Sequence, residues 1–188
     1  MGEGEESLAV WAGPSMNIFN REAEKEIENL GFSGCFLSQE LTIPQIRYIA
    51  KGSDIPLGAY VYGRTEMMIS EYCAINAVMG DKDKKHCPMY CMRGRFALKD
   101  GEGRRFPIHT DEWCHMHIAN CHVLDMRPYF DELKKAGLSA LTLDVRGNEG
   151  SILSLCKDAC DILSGRKEAP GAGRGDDVTR GHFFRGVL

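Results

Sequence analysis

The sequence predicts an α/β fold, a parallel sheet with its helices outside, interrupted by one inserted region. Strand-like and helix-like segments alternate at both ends of the chain, as βα units require. The alternation stops between 63 and 122, where Cys, His, Met and charged residues gather instead. The composition, 43% hydrophobic and 27% charged over 188 residues, is that of a globular chain able to bury a core.

Each element has its own local reason. Residues 8–19 are apolar, contain Pro14, and read as a strand running into a loop. Asn20 is the expected N-cap of a helix whose first turns carry Glu22, Glu24 and Glu26, where carboxylates meet the positive end of the helix dipole. Ala23, Ile27 and Leu30 form its apolar stripe, and Gly31 stops it. Residues 34–38 are a short strand. Thr42, Pro44 and Gln45 predict a capping-box start for a helix with Ile46, Ile49 and Ala50 on its apolar side. Residues 56–62 are a third strand. Residues 93–108 read as two strands joined by a Lys-Asp-Gly-Glu-Gly turn. A strand is expected around Ile118–Leu124, then an amphipathic helix over 127–136 stopped by Gly137. A strand over 138–145 and a helix over 151–163 follow, the latter with Ile152, Leu155, Ala159 and Ile162 in register. Residues 165–181 read as a loose tail, and the two Phe of the terminal TRGHFFRGV imply a segment that packs back on the domain.

The strands near 8, 34, 57, 118 and 140 are too few for a closed eight-strand barrel, which needs about 250 residues. They fit a partial or modified TIM-like (β/α) barrel over 8–164, with 63–122 as a Cys/His-rich loop and β-hairpin insertion. Residues 1–7 are expected to be a disordered N-terminus and 165–188 a Gly/Arg-rich tail. The strands missing from such a barrel would leave an open sheet edge, so a second copy (a homodimer) or another chain is expected to complete it. The net charge of −4 gives no basic footprint for nucleic acid. No apolar run approaches the ~20 residues of a membrane span, and no signal peptide is visible. A cytoplasmic setting is therefore expected, where eight Cys point to metal or catalysis rather than disulfides.

Cys73, Cys87, Cys91 and Cys114 all lie in the insertion, Cys87 and Cys91 as a C-x3-C pair. Four soft thiolates suit an iron–sulfur cluster or zinc, since each takes four ligands and a thiolate supplies charge and polarizability. Cys35, Cys156 and Cys160 read as core packing, and Cys121 stays open. His109 and His117 are alternative imidazole ligands, which would make a mixed Cys/His zinc site. His115 and His122 read as exposed loop groups, and Asp111 and Glu112 as partners that orient a His. Neither a G-x-S-x-G elbow nor an H-E-x-x-H helix occurs. Glu66, Ser70 and Glu71 are acid/base candidates, and Cys73 with His109 is a lesser nucleophile–base reading. Arg64, Arg93, Arg95, Arg104 and Arg105, with Tyr90, Phe96 and Phe106, suit a phosphate or carboxylate.

The run YGRTEMMISEYCAIN, then Cys87 and Cys91, then ALKDGEGRRFPIHTDEWCHMHIAN, resembles peptidase family U32, the collagenase-like proteases. Gly63, Arg64, Met68, Ser70, Glu71 and Cys73 match the family's first segment. Leu98, Lys99, Asp100, Gly103, Phe106, Pro107, Asp111, Cys114, Ile118 and Asn120 match its second. His115 stands where the family has Arg, and Gly101 replaces the Arg after Lys-Asp. The likeness extends over roughly 8–188 and looks like the C-terminal part of the family's barrel. It implies a modified TIM barrel, and either peptidase activity or oxygen-independent hydroxylation of RNA or quinone precursors at a four-Cys [4Fe–4S] cluster. On that resemblance Cys73, Cys87, Cys91 and Cys114 hold the cluster, with zinc as the alternative metal, and Glu71 and Arg64 act near an RNA or peptide substrate. A zinc-stabilised, non-catalytic barrel subunit is the third reading.

Overall fold

The computed structural model describes residues 8–80, 86–146, 150–171 and 177–185. The expected disordered N-terminus, 1–7, lies outside them. Two compact units emerge: Met1–Gly63 with Leu124–Arg174 and Val178–Leu188, and Arg64–Val123 with Gly175–Asp177.

The first unit opens with β1 (Trp11–Ala12) and a single 3-10 turn at Pro14–Met16, followed by α1 (Arg21–Asn29). Asn20 caps α1 as expected, its side-chain oxygen accepting the Ala23 N–H at 2.8 Å. After β2 (Gly34–Phe36) comes α2 (Ile43–Ala50), opened by the expected capping box. The Gln45 side chain there accepts the Thr42 N–H at 2.8 Å. The chain then enters β3 (Leu57–Gly63).

The second unit holds β4 (Glu66–Ser70), α3 (Ala74–Met79), β5 (Phe96–Lys99), β6 (Arg105–Thr110) and β7 (Met116–Ala119). Its sheet is wholly antiparallel, in the order β4-β7-β6-β5. The β5–β6 hairpin is the one the Lys-Asp-Gly-Glu-Gly turn announced. Asp100 closes it: one carboxylate oxygen accepts the Glu102 and Arg104 N–H groups, both at 2.9 Å, and the other the Arg104 Nε–H at 2.6 Å. β4 is an edge strand with Met67, Met68 and Ile69 all exposed.

The chain returns to the first unit through β8 (Val123–Asp125) and α4 (Phe130–Lys135), then β9 (Leu138–Leu143), α5 (Ile152–Leu163) and β10 (Val178–Thr179). β1, β2, β3 and β9 are parallel neighbours in that spatial order. β8 joins antiparallel at the end of β3, and β10 pairs with β8. The result is a mixed α/β unit with a six-stranded sheet. Among the described residues no closed barrel forms. Two expectations are corrected. The strand near 118 is not a member of the parallel sheet: Met116–Ala119 pairs antiparallel with β4 and β6. The loose tail of 165–181 is not wholly loose, because Val178–Thr179 adds a strand to β8.

Helices pack on this sheet through the stripes that the spacing predicted. Ile27, Ile46, Ile49 and Leu133 are buried against Cys35, Leu57, Val61 and Leu124. Each such side chain removed from water stabilises the fold by about 1.5–3 kcal/mol. The terminal segment does pack back. Phe183 is buried in this core and its carbonyl accepts the Ile43 N–H at 2.9 Å, while Arg180 lies over the Phe184 ring.

Two tests follow from this geometry. Gly137 ends α4 at φ +102°, and a Cβ there would sit 2.5 Å from the Ala50 Cβ. Gly137→Ala combines a left-handed backbone with a clash, so it should cost more than about 1 kcal/mol. The readout is an earlier urea midpoint at unchanged slope; an unmoved midpoint refutes the strain. The Asp100 carboxyl lies below its ordinary range because the Arg104 side chain hydrogen-bonds it. A folded-state value below the unfolded one stabilises above about pH 4 and stops doing so as pH falls through the lowered value. The stability gap between wild type and Asp100→Asn, measured by urea unfolding, should therefore be largest near neutral pH and close in acid.

Candidate functional site

The second unit gathers the residues singled out in the sequence. Cys73, at the start of α3, is its cap: its sulfur accepts the Asn76 N–H at 3.4 Å. The C-x3-C loop turns back on itself because Met89 adopts φ +54° ahead of a 3-10 turn at Tyr90–Met92. That reversal lets Cys87 and Cys91 share one small, open pocket with Cys73, Ile75, Asn76 and Tyr90. The Cys87 sulfur accepts the Met89 N–H at 3.4 Å. Asn76 is buried, and its side-chain oxygen has no hydrogen-bond partner. Three of the four proposed thiolates thus line one pocket. Cys114 is not among its lining residues. It sits exposed at φ +65° in the turn between β6 and β7.

The remaining cysteines divide. Cys35 is fully buried, and burial, reinforced by the charge of Glu24, pushes its thiol up to about 11, so it packs and does not react. Cys156 and Cys160 are exposed, contrary to the core reading. The buried stripe of α5 runs through Leu155 and Ala159, and the next residue along is turned about 100° away. Cys121 is half-buried.

Sheet pairing assembles a second constellation. His109 on β6 lies directly opposite His117 on β7, and their rings stack at 4.7 Å with 13° between planes. Glu66 on β4 pairs with Ala119, two residues beyond His117 on the same face of the pleat. The Glu66 carboxylate meets His117 Nδ1 at 2.5 Å. Donor atoms of Glu66, His109 and His117 all lie within 4.8 Å of one another, the one such Cys/His/Asp/Glu group among the described residues. Glu66 had been singled out as an acid/base candidate and not as a partner of these histidines. Its place beside them depends on the β4–β7 pairing, which no local pattern announces.

Asp111 stands behind this group. It accepts the Trp113 N–H at 3.0 Å, the His115 N–H at 2.8 Å and the His115 ring at 2.8 Å, and it approaches His117 Nε2 at 3.4 Å. Desolvation alone would raise its carboxyl; the His115 and His117 hydrogen bonds outweigh that and hold it at about 2. The hydrogen bond that His117 donates to Glu66 raises the His117 imidazole above its ordinary value, partial desolvation opposing and Asp111 adding to the rise. His115 is half-buried on Asp111 and not simply an exposed loop group.

The two catalytic candidates are members of neither group. Arg64 Nη1 donates to the Asn120 carbonyl at 3.0 Å and to the Cys121 carbonyl, fastening the entry of β4 to the end of β7. Glu71 is exposed in the turn between β4 and Cys73. Arg104 is held by Asp100 and Glu102.

A sequence model of peptidase family U32 matches residues 4–159. No curated protein and no solved structure matches the chain. The match takes in the pocket of Cys73, Cys87 and Cys91, the β5–β6 hairpin and the parallel strands, so the chain belongs to peptidase family U32.

Proposed function

We propose that this member of family U32 is an iron–sulfur enzyme, with Cys73, Cys87, Cys91 and Cys114 as the ligands of a [4Fe–4S] cluster. The observation that carries the reading is the pocket shared by Cys73, Cys87 and Cys91. Its donors fit the group chemically. Thiolates are the ligands such clusters take, and N–H groups on the ligand sulfurs tune their potential. Two of the three sulfurs already accept a backbone N–H. The buried Asn76 amide adds a polar group with one unsatisfied atom to the pocket wall. Cys114 is the ligand that a turn of the chain would have to bring in, and its left-handed backbone is conformational energy held at that position.

When bound, the cluster supplies one-electron chemistry. The reaction class is oxygen-independent hydroxylation of an RNA base or a quinone precursor, the oxygen atom coming from water or a hydroxylated organic co-substrate and the two electrons leaving to that co-substrate or a separate acceptor, within a modified barrel to which this chain contributes the cluster-bearing part. In this reading Glu71, exposed two residues before Cys73, is the acid/base group on the substrate side. Arg64 is a positioning residue that holds the frame of β4 and β7 through carbonyls.

The test is the metal content of anaerobically purified and reconstituted protein. We expect about four irons and matching sulfide per chain, with the broad visible absorption of thiolate-to-iron charge transfer. Cys73→Ser, Cys87→Ser and Cys91→Ser should each lose most of it. Colourless, iron-free protein after anaerobic reconstitution would overturn the proposal. Cleavage of denatured collagen or a peptide library that disappears in Glu71→Gln would support the peptidase reading instead.

A further inference from the structure

We infer that Glu66, His109 and His117 form a second metal site, an open N2O site for a divalent first-row cation, independent of the cysteines. The inference stands without the cluster, because none of its donors is a thiolate.

Geometry is the first support. Ligands about 2.1 Å from a tetrahedral ion stand roughly 3.4 Å apart. The three donor sets already lie within 4.8 Å, so side-chain torsions alone can close the shell. Three adjacent strands supply one ligand each, β4, β7 and β6, and the register fixes all three on one face of the sheet. A site carried on paired strands holds its ligands more firmly than one carried on loops.

The surroundings are the second support. A metal-bound imidazole ordinarily gives its other ring nitrogen to a carboxylate, which fixes the ring and strengthens the ligand. His117 has that arrangement: Nδ1 faces Glu66, and Nε2 faces Asp111 at 3.4 Å. Asp111 is itself locked by two backbone N–H groups and the His115 ring. It is built to orient and not to bind.

Donor chemistry sets the occupant. Two imidazoles and one carboxylate suit zinc or ferrous iron, in contrast to the thiolate set. Three protein ligands leave a coordination position for water or an oxyanion, the mark of a catalytic rather than a structural centre. Glu66 and His109 are exposed, so that position is open to solvent.

The experiment reads zinc and iron together on the full chain. Wild type and the double variant His109→Ala/His117→Ala are stripped of metal, equilibrated with Zn2+, desalted and analysed. The double variant should carry one zinc equivalent fewer, with iron incorporation on reconstitution unchanged. Asp111→Asn should keep the site but weaken its Zn2+ affinity by about 10–100-fold. In a chain with every cysteine but the buried Cys35 changed to Ser, Co2+ should give ligand-field absorption without a sulfur-to-cobalt charge-transfer band. Equal zinc in wild type and a folded double variant, judged by circular dichroism, overturns the inference. Should the double variant fail to fold, an undiminished Zn2+ affinity in Asp111→Asn overturns it, as does a thiolate band in the Co2+ spectrum of the Cys-to-Ser chain.

Discussion

The second unit has very little apolar material to hold it together. Among its described residues the buried hydrophobic side chains are Ile75, Met116 and Ile118, while the first unit buries a continuous set from Ala12 to Phe183. A unit of this size cannot reach a stable fold on three apolar side chains and must be fastened by other means. The fastenings are visible. Asp100 closes one hairpin, Asp111 closes the next, and Arg64 ties the start of β4 to the end of β7. Each uses charge-assisted or backbone hydrogen bonds where a larger domain would use packing.

That thinness is what leaves the side chains of the unit free for chemistry. In β7 the buried face carries Met116 and Ile118, and the alternate face carries His117. A one-residue slip of this strand would bury the imidazole and expose both apolar groups, so the small core, meagre as it is, still sets the register. The same register places His117 opposite His109 and within reach of Glu66. The core of the unit and its polar constellation are thus two faces of one pairing and share one register.

Much of the fold could be read from local signals. Asn20, Thr42 with Gln45, and Gly137 each act over three or four residues, and each sits where the pattern placed it. The Lys-Asp-Gly-Glu-Gly turn is equally local. What was not legible depends on long range or on fine angle. The strand near 118 read as one of the βα strands, and its antiparallel place comes from pairing with its sequence neighbour β6 and with β4, which is remote in sequence. Cys156 and Cys160 miss the buried stripe of α5 by a single residue, a helical rotation that a short apolar face does not resolve. The clustering of four Cys in the insertion marked the thiolates as candidates, and the structure brings Cys73, Cys87 and Cys91 to one pocket without Cys114. The histidines were legible as candidates, but their carboxylate partner was not, since the pairing that delivers Glu66 spans 51 residues.

The two donor sets differ in softness as well as in place. Cys73, Cys87 and Cys91 offer polarizable sulfur on a loop and a short helix, whereas Glu66, His109 and His117 offer nitrogen and oxygen on paired strands. Soft and borderline metals are sorted by donor type and geometry rather than by raw affinity. Were both proposed sites filled, separation of this kind would keep the two ions from competing. The polar fastenings of the unit are carboxylates and guanidinium groups already engaged with other partners. Asp100 is spent on Arg104, and Asp111 on backbone N–H groups and His115, so neither is at liberty to capture a cation on its own. Glu66 closes no hairpin, and it sits against the histidine pair.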